Sequence, residues 1–309
     1  MSFLRKPLGI LLGWIYEFVG NYGLALILFT LAVKIILLPL TLKQQKSMIK
    51  TQRIQPEIAK LQEKYKNDKQ LLSQETMKLY KEYNVSPMGG CLPMIVQLFI
   101  LFALYAVIRE PLTNMFNLSG AEIKGFKEAA VAAGEPLKKG MEQIGIAHYL
   151  NGAGSEYGIN FNFWGGFDLS VTPSLKEWTT WFVPALAGIT TYLSSKVTTW
   201  MNKKPADKKE EQKPQRILSP EQKKTPGSQN NEGMMKSMTY IMPVFTVFLT
   251  FSFPMAMGFY WIASNVFSIL QTVLLNGYYN KKFALELDAK HAQRVSKQSA
   301  LHGDKKKRR

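Results

Sequence analysis

Residues 237–280 read SMTYIMPVFTVFLTFSFPMAMGFYWIASNVFSILQTVLLNGYYN, and not one of these 44 residues is Asp, Glu, Lys or Arg. A helix rises about 1.5 Å per residue and a bilayer core is about 30 Å thick, so one crossing takes roughly 20 apolar residues. The run is long enough for two crossings. Phe253-Pro254, followed by Gly258, supplies a break near its middle, because proline cannot continue the preceding helical hydrogen bonding. The expectation is a helical hairpin over 237–277, with spans at 237–253 and 256–277.

Working outward, two further gaps in charge stand out: 26 residues between Glu82 and Arg109, and 18 between Glu177 and Lys196. They predict a second span within 87–109 and a third within 178–200. A first span is predicted over 22–42, in a stretch that is apolar from Phe18 to Leu42 except for Lys34. The mean hydropathy of −0.09 resembles that of a water-soluble protein only because it averages these spans with highly charged segments. The chain is 309 residues long with 39 Lys+Arg against 22 Asp+Glu, a net charge of +17, which favours anionic partners.

Lys and Arg gather in short cytoplasmic loops. Segment 43–86 carries ten of them, 201–236 nine and 278–309 ten, whereas 110–177 carries five beside eight acidic residues. Five spans with the N-terminus outside and the C-terminus inside put all three basic segments in the cytoplasm. The fold class expected is therefore an all-α integral membrane protein of five transmembrane helices.

Between the spans the pattern changes. Segment 43–86 has Ile54, Ile58, Leu61 and Tyr65 at helical spacing, then a second helical stretch from about Gln70 to Tyr83, with Lys66-Asn67-Asp68-Lys69 as the turn. This predicts a charged cytoplasmic helical hairpin, either a solvated connection or a docking arm, with Pro56 in a first turn or at a kink. Segment 1–21 reads as an amphipathic helix in the outer interface, with Trp14 and Tyr16 near head groups. Glu17 and the lack of an A-x-A site argue against a signal peptide. The extracytoplasmic loop 110–177 is Gly-rich, with a short helix expected at Glu122–Ala133. Loop 201–236, rich in Lys, Gln, Pro and Ser, reads as a flexible basic linker, and 278–309 as a basic tail.

Lys34 lies nine residues before Lys43, about 13 Å along a helix, which is beyond the reach of a snorkelling side chain. A cation in lipid costs at least ~3 kcal/mol on insertion scales. No span contains an Asp or Glu to neutralise it. Helix carbonyls could satisfy it, but a positively charged, water-accessible cavity in the inner half of the membrane fits better. Polar stripes on the other spans could line the same cavity. Thr191, Ser194, Ser195 and Thr198 share a face of the third span, and Trp261, Ser264, Asn265, Ser268, Gln271 and Thr272 a face of the fifth. Thr30, Gln97 and Thr246 come from the first, second and fourth. Such stripes also arise from plain helix packing.

No H-E-x-x-H, G-x-S-x-G or P-loop motif occurs, His148, His291 and His302 have no ligand spacing, and the lone Cys91 permits no intrachain disulfide. Ser195 and Lys196, adjacent on a helix, point about 100° apart, which argues against a Ser-Lys dyad. Neither catalytic residues nor a metal or cofactor are expected, and the chain does not read as an enzyme.

Four stretches carry a family resemblance: YGLALILFTLAVKIILLPLTLKQQKSM at 22–48, QPEIAKLQEKY at 55–65, SPMGGCLPMIVQLFILFALY at 86–105, and SMTYIMPVFTVFLTFSFPMAMGFYWIASNVFSILQ at 237–271. Together they resemble the YidC branch of the YidC/Oxa/Alb membrane protein insertases, in the short form of Gram-positive bacteria. Two positions depart from that family's usual pattern, Lys34 for an arginine and Phe99 for a proline. The resemblance implies a bacterial plasma-membrane insertase and chaperone. Its hydrophilic groove, open to cytoplasm and lipid, would receive nascent membrane proteins and release them sideways. Lys34, Thr30, Gln97, Thr191, Ser194, Thr246, Trp261, Asn265, Ser268 and Gln271 are the groove candidates. Implied partners are nascent membrane proteins, the Sec translocon, the ribosome through the basic tail, and anionic lipids. An assembly factor without insertion activity and an anion transporter are the competing classes.

Overall fold

The computed structural model describes residues 2–84, 92–164, 166–202 and 229–274, together with Ala289. Of the expected flexible linker 201–236, residues 203–228 lie outside the described residues, as do Cys91 and the tail from 278, Ala289 aside; the last part of that segment, from Gln229, is helical and not flexible linker.

The helices are α1 (Ser2–Val19), α2 (Tyr22–Ile36), α3 (Leu38–Lys64), α4 (Lys69–Glu82), α5 (Leu92–Arg109), α6 (Pro111–Asn114), α7 (Gly120–Ala132), α8 (Glu142–Gly152), α9 (Phe182–Asn202), α10 (Gln229–Thr250) and α11 (Met255–Leu274). Two short antiparallel strands, β1 (Asn162–Phe163) and β2 (Phe167–Asp168), and a 3-10 turn at Trp178–Trp181 complete the described elements. Among the described residues α11 alone is long and apolar enough to cross a membrane by itself, and Tyr22–Ile36 with Leu38–Met48 passes as a pair. Ile95–Arg109 and Thr239–Thr250 are shorter apolar helices. The hydroxyls of Thr190, Thr191, Ser194 and Ser195 dilute the apolar character of α9.

The expected span 22–42 is interrupted at Leu37. Pro39 has no N–H to offer the carbonyl of Ile35, and its ring would crowd that carbonyl, so the helix stops and restarts as α3. The 237–277 hairpin turns at 251–254, between α10 and α11.

Two compact units are present. The first comprises Met1–Leu38, Met94–Ser195 and Met238–Ser268. Its core joins Leu12 of α1, Tyr22, Leu26 and Phe29 of α2, Leu104 and Ile108 of α5, Ile146 of α8 and Phe161 before β1, all essentially inaccessible to solvent. Gly9 and Gly13 let α1 lie directly on the backbone of Asn114 and Met115, where any added Cβ would collide. Tyr16 departs from the expected head-group position. It is 8% exposed, donates to the carbonyl of Gly158 at 3.2 Å and accepts from the amide of Asn160 at 2.8 Å, because it sits on the same face of α1 as Leu12. Trp14 and Phe18, on the other face, are exposed.

Segment 110–177 is stitched to helix ends by backbone hydrogen bonds. Tyr22 donates to the carbonyl of Asn160 at 3.1 Å, Met255 to Val171 at 2.8 Å and Ala256 to Leu169 at 2.9 Å. These bonds satisfy amides that the first turns of α2 and α11 leave unpaired. Asn21 caps α2, accepting from the amide of Leu24 at 3.1 Å while its amide group donates to Asn162 at 2.8 Å.

The second unit takes in Pro39–Pro93, Lys196–Ser237 and Ile269–Arg309. Here α3 and α4 pair through Ile54, Ile58, Leu79 and Tyr83, all buried, with Leu61 and Tyr80 against them. Asp68 caps α4, accepting from the amide of Leu71 at 2.9 Å. Helix α3 runs on through Pro56 rather than starting or stopping there.

Candidate functional site

In the first unit, α11 is the hub of a polar network. Tyr260, Ser264, Asn265 and Ser268 occupy one side of this helix, at spacings of four, five and eight residues. Each reaches a different neighbour. The ammonium of Lys34, in the last turn of α2, donates to the hydroxyl of Ser268 at 2.7 Å. The side-chain amide of Asn265 donates to the Thr191 hydroxyl of α9 at 2.8 Å and to that of Thr190 at 3.3 Å. Tyr260, buried, is hydrogen-bonded to Gln97 of α5 and to Ser264.

A lysine ammonium carries three donors. Among the described residues its one side-chain partner is the neutral oxygen of Ser268, and none of them places a carboxylate against the positive charge. A half-buried cation held this way attracts anions, with an energy at 4 Å of about 4 kcal/mol at an effective dielectric of 20. The hydroxyls and amides around α11 can exchange hydrogen bonds with water or with a polar chain.

Of the ten candidates, Lys34, Ser268, Asn265, Thr191 and Gln97 enter this network. Ser194 and Trp261 are half-buried on α9 and α11. Gln271 belongs to the second unit, where its amide donates to the Thr41 hydroxyl at 2.7 Å. Thr30 and Thr246 do not line a wet surface. Both are fully buried, and their hydroxyls turn back to the carbonyls of Leu26 at 2.6 Å and Met242 at 2.9 Å. Such back-bonding lets a threonine pack on an apolar helix face, which is why a polar stripe alone did not separate packing from lining.

Tyr260, Thr190 and Thr41 were missed. The signal for Tyr260 was its position one turn before Ser264, on the polar side of an otherwise apolar helix; a tyrosine buried there needs a partner for its hydroxyl.

Residues 14–282 match the family described as 60Kd inner membrane protein. The chain is 33% identical over 267 residues to the membrane protein insertase YidC of Clostridium perfringens, covering 86% of this chain and 83% of that one. It is 30% identical over 272 residues to the membrane protein insertase YidC of Caldanaerobacter subterraneus subsp. tengcongensis, covering 88% and 93%. A stretch of 109 residues is 52% identical to the protein of the same name in Fusobacterium nucleatum subsp. nucleatum, covering 35% of this chain and 53% of the other. The chain spans about half or less of the length of several curated relatives that it matches.

Proposed function

The chain belongs to the 60Kd inner membrane protein family, and from that premise we propose that it is a membrane protein insertase and chaperone of the bacterial plasma membrane. Five spans, with the N-terminus outside and the C-terminus inside, enclose a hydrophilic groove open to cytoplasm and lipid. The observation that carries this reading is the contact between Lys34 and the neutral hydroxyl of Ser268, in a set of spans without a single carboxylate. The similarity to proteins named membrane protein insertase YidC supports the same conclusion.

The mechanism follows from charge and desolvation. A nascent membrane protein brings a short acidic segment that must leave the cytoplasm. Lys34 attracts its carboxylates, while Ser268, Asn265, Thr191 and Gln97 replace part of its water shell and so reduce the cost of moving polar groups into an apolar region. The client's apolar helix then passes sideways into lipid, driven by removal of its surface from water. Neither a nucleotide nor a metal takes part. The basic tail and the 43–86 hairpin are the contacts for ribosome, Sec translocon or anionic lipid.

The test is insertion in liposomes holding the purified protein, with ribosomes making a single-span client that bears an acidic N-terminal tail, scored by protection of the tail from protease. Insertion persists with Lys34→Arg, falls with Lys34→Ala and falls furthest with Lys34→Glu. Equal insertion into protein-free liposomes would leave an assembly role in place of insertion; equal activity of all variants would remove Lys34 from the mechanism.

A further inference from the structure

Large aromatic side chains converge where segment 110–177 meets α9 and α10. Trp164, at the tip of the β1–β2 hairpin, is 88% exposed and Trp178, in the 3-10 turn, 80%. Phe167 of β2 stacks on Phe182, the first residue of α9, with ring centres 5.6 Å apart. Trp181 meets Phe251, just past the end of α10, edge to face at 6.1 Å. The surface so formed adjoins the start of α9 and the end of the apolar helix α10. We propose that Trp164, Phe167, Trp178, Trp181 and Phe182 form an aromatic anchor that lies in the head-group layer of the bilayer and sets the depth of this end of the protein.

Three observations select the lipid interface as the occupant. Tryptophan joins an apolar body to a polar N–H and gathers where hydrocarbon meets water. The Trp181 indole N–H is already satisfied, donating to the carbonyl of Ser174 at 3.0 Å, so its ring can enter an apolar layer without an unpaired donor. Net charge is small. Asp168 accepts from the amide and hydroxyl of Ser170 at 2.8 and 2.6 Å and lies 3.8 Å from His148, and Lys176 adjoins Glu177 in sequence, so opposite charges are balanced. The anchor therefore takes uncharged, zwitterionic lipid, unlike the basic segments of the chain.

The inference rests on the membrane-spanning reading of the proposed function, and the experiment separates the two. Full-length proteins retaining one of the six tryptophans, Trp164 or Trp178, with Phe at the others, are placed in phosphatidylcholine vesicles carrying bromine near the head group or deep in the chains. A third protein has all six replaced and Val266→Trp added at the middle of α11. Trp164 and Trp178 should emit to the blue and be quenched severalfold more by shallow bromine than by deep bromine or aqueous iodide, while Val266→Trp responds to deep bromine. Quenching of Trp164 and Trp178 by iodide alone, with Val266→Trp still quenched from within the membrane, overturns the anchor and turns this face toward a protein partner. If Val266→Trp escapes both lipid labels, the span reading itself falls. Should the multiple replacement not fold, a nitroxide on Trp164→Cys with Cys91→Ser decides the matter: oxygen accessibility well above that of an aqueous nickel chelate supports the anchor, and the reverse overturns it.

Discussion

Lys34 and Ser268, 234 residues apart in the chain, are joined by a hydrogen bond of 2.7 Å from ammonium to hydroxyl. The serine accepts one of three donors and carries no charge, so this contact holds the cation in place without neutralising it. A lysine retained only for structure would be expected beside a carboxylate or a cluster of carbonyls. Holding a charge away from water without an opposite charge costs free energy, and an apolar side chain of similar volume removes that cost. Lys34→Met should therefore unfold at the same temperature as the unaltered protein or higher, in detergent, while losing insertion of the acidic-tailed client. A drop in melting temperature would make Lys34 a structural residue instead.

The bond from Asn265 to Thr191 at 2.8 Å ties α11 to α9 through side chains alone. Double-mutant cycles between helices in membranes average about 0.6 kcal/mol and reach ~1.7. Asn265→Val and Thr191→Val, singly and together, should give a coupling in that range by denaturant unfolding in micelles. Thr246→Val, whose hydroxyl serves only its own helix, should show none with Asn265→Val.

The parts of this arrangement that were legible in the sequence are those with a one-dimensional signature. Lys34 was conspicuous as the one charge in an apolar run, and Ser268 and Asn265 shared a helical face. The break at 251–254 was written in Phe253-Pro254, and the helical character of the fold in its apolar runs. What was not legible depends on rotamers and on long-range packing. A threonine such as Thr30 reads the same whether its hydroxyl points to water or back to the carbonyl of Leu26. Tyr16 reads as an interfacial aromatic until Gly158 and Asn160 supply its partners, more than 140 residues away. Helix α8 carries no one-dimensional signature because Gly145 interrupts its apolar spacing, and the halt at Leu37 carries none because Pro39 stands inside a continuous apolar run.

Glu122 and Ser119 form a reciprocal cap on α7. The amide of Ser119 donates to the glutamate at 2.7 Å, and the amide of Glu122 to the serine hydroxyl at 3.4 Å. These bonds from Ser119 hold the Glu122 carboxyl below its ordinary value of 4.5. A lowered value in the folded state contributes stability that is fully present above the ordinary value and is lost as pH falls through the lowered one. Amide exchange in the first turn of α7 should therefore quicken on acidification below about pH 4.5, relative to the chemical rate of exchange. Glu122→Gln, which keeps the capping geometry without a titrating group, should lose that dependence.

Two glycines should respond to alanine in opposite senses. At Gly9 the new methyl group would meet the backbone of Asn114, which cannot move aside as a side chain can, and overpacking of this kind costs about 1–3 kcal/mol. Gly125 lies inside α7 with nothing near its missing Cβ, so Gly125→Ala should stabilise by about 0.5–1 kcal/mol through helix propensity. Thermal unfolding of the two variants in the same detergent reads the difference directly.

Ile58 is 2% exposed and packs with Ile54, Leu79 and Tyr83 between α3 and α4. So small a core has little redundancy, and removing a buried isoleucine side chain beyond Cβ costs about 2–5 kcal/mol. Tyr83 adds a hydrogen bond from its hydroxyl to Glu57 at 2.6 Å, worth less because its acceptor is near solvent. Ile58→Ala should thus release α4 from α3, raising amide exchange across Lys69–Glu82, while Tyr83→Phe leaves the pairing in place. Exchange in α1 and α2 should not change with either variant, since both side chains belong to the separate compact unit of the hairpin. Faster exchange in α2 after Ile58→Ala would mean that the two units unfold together, which their separate cores argue against.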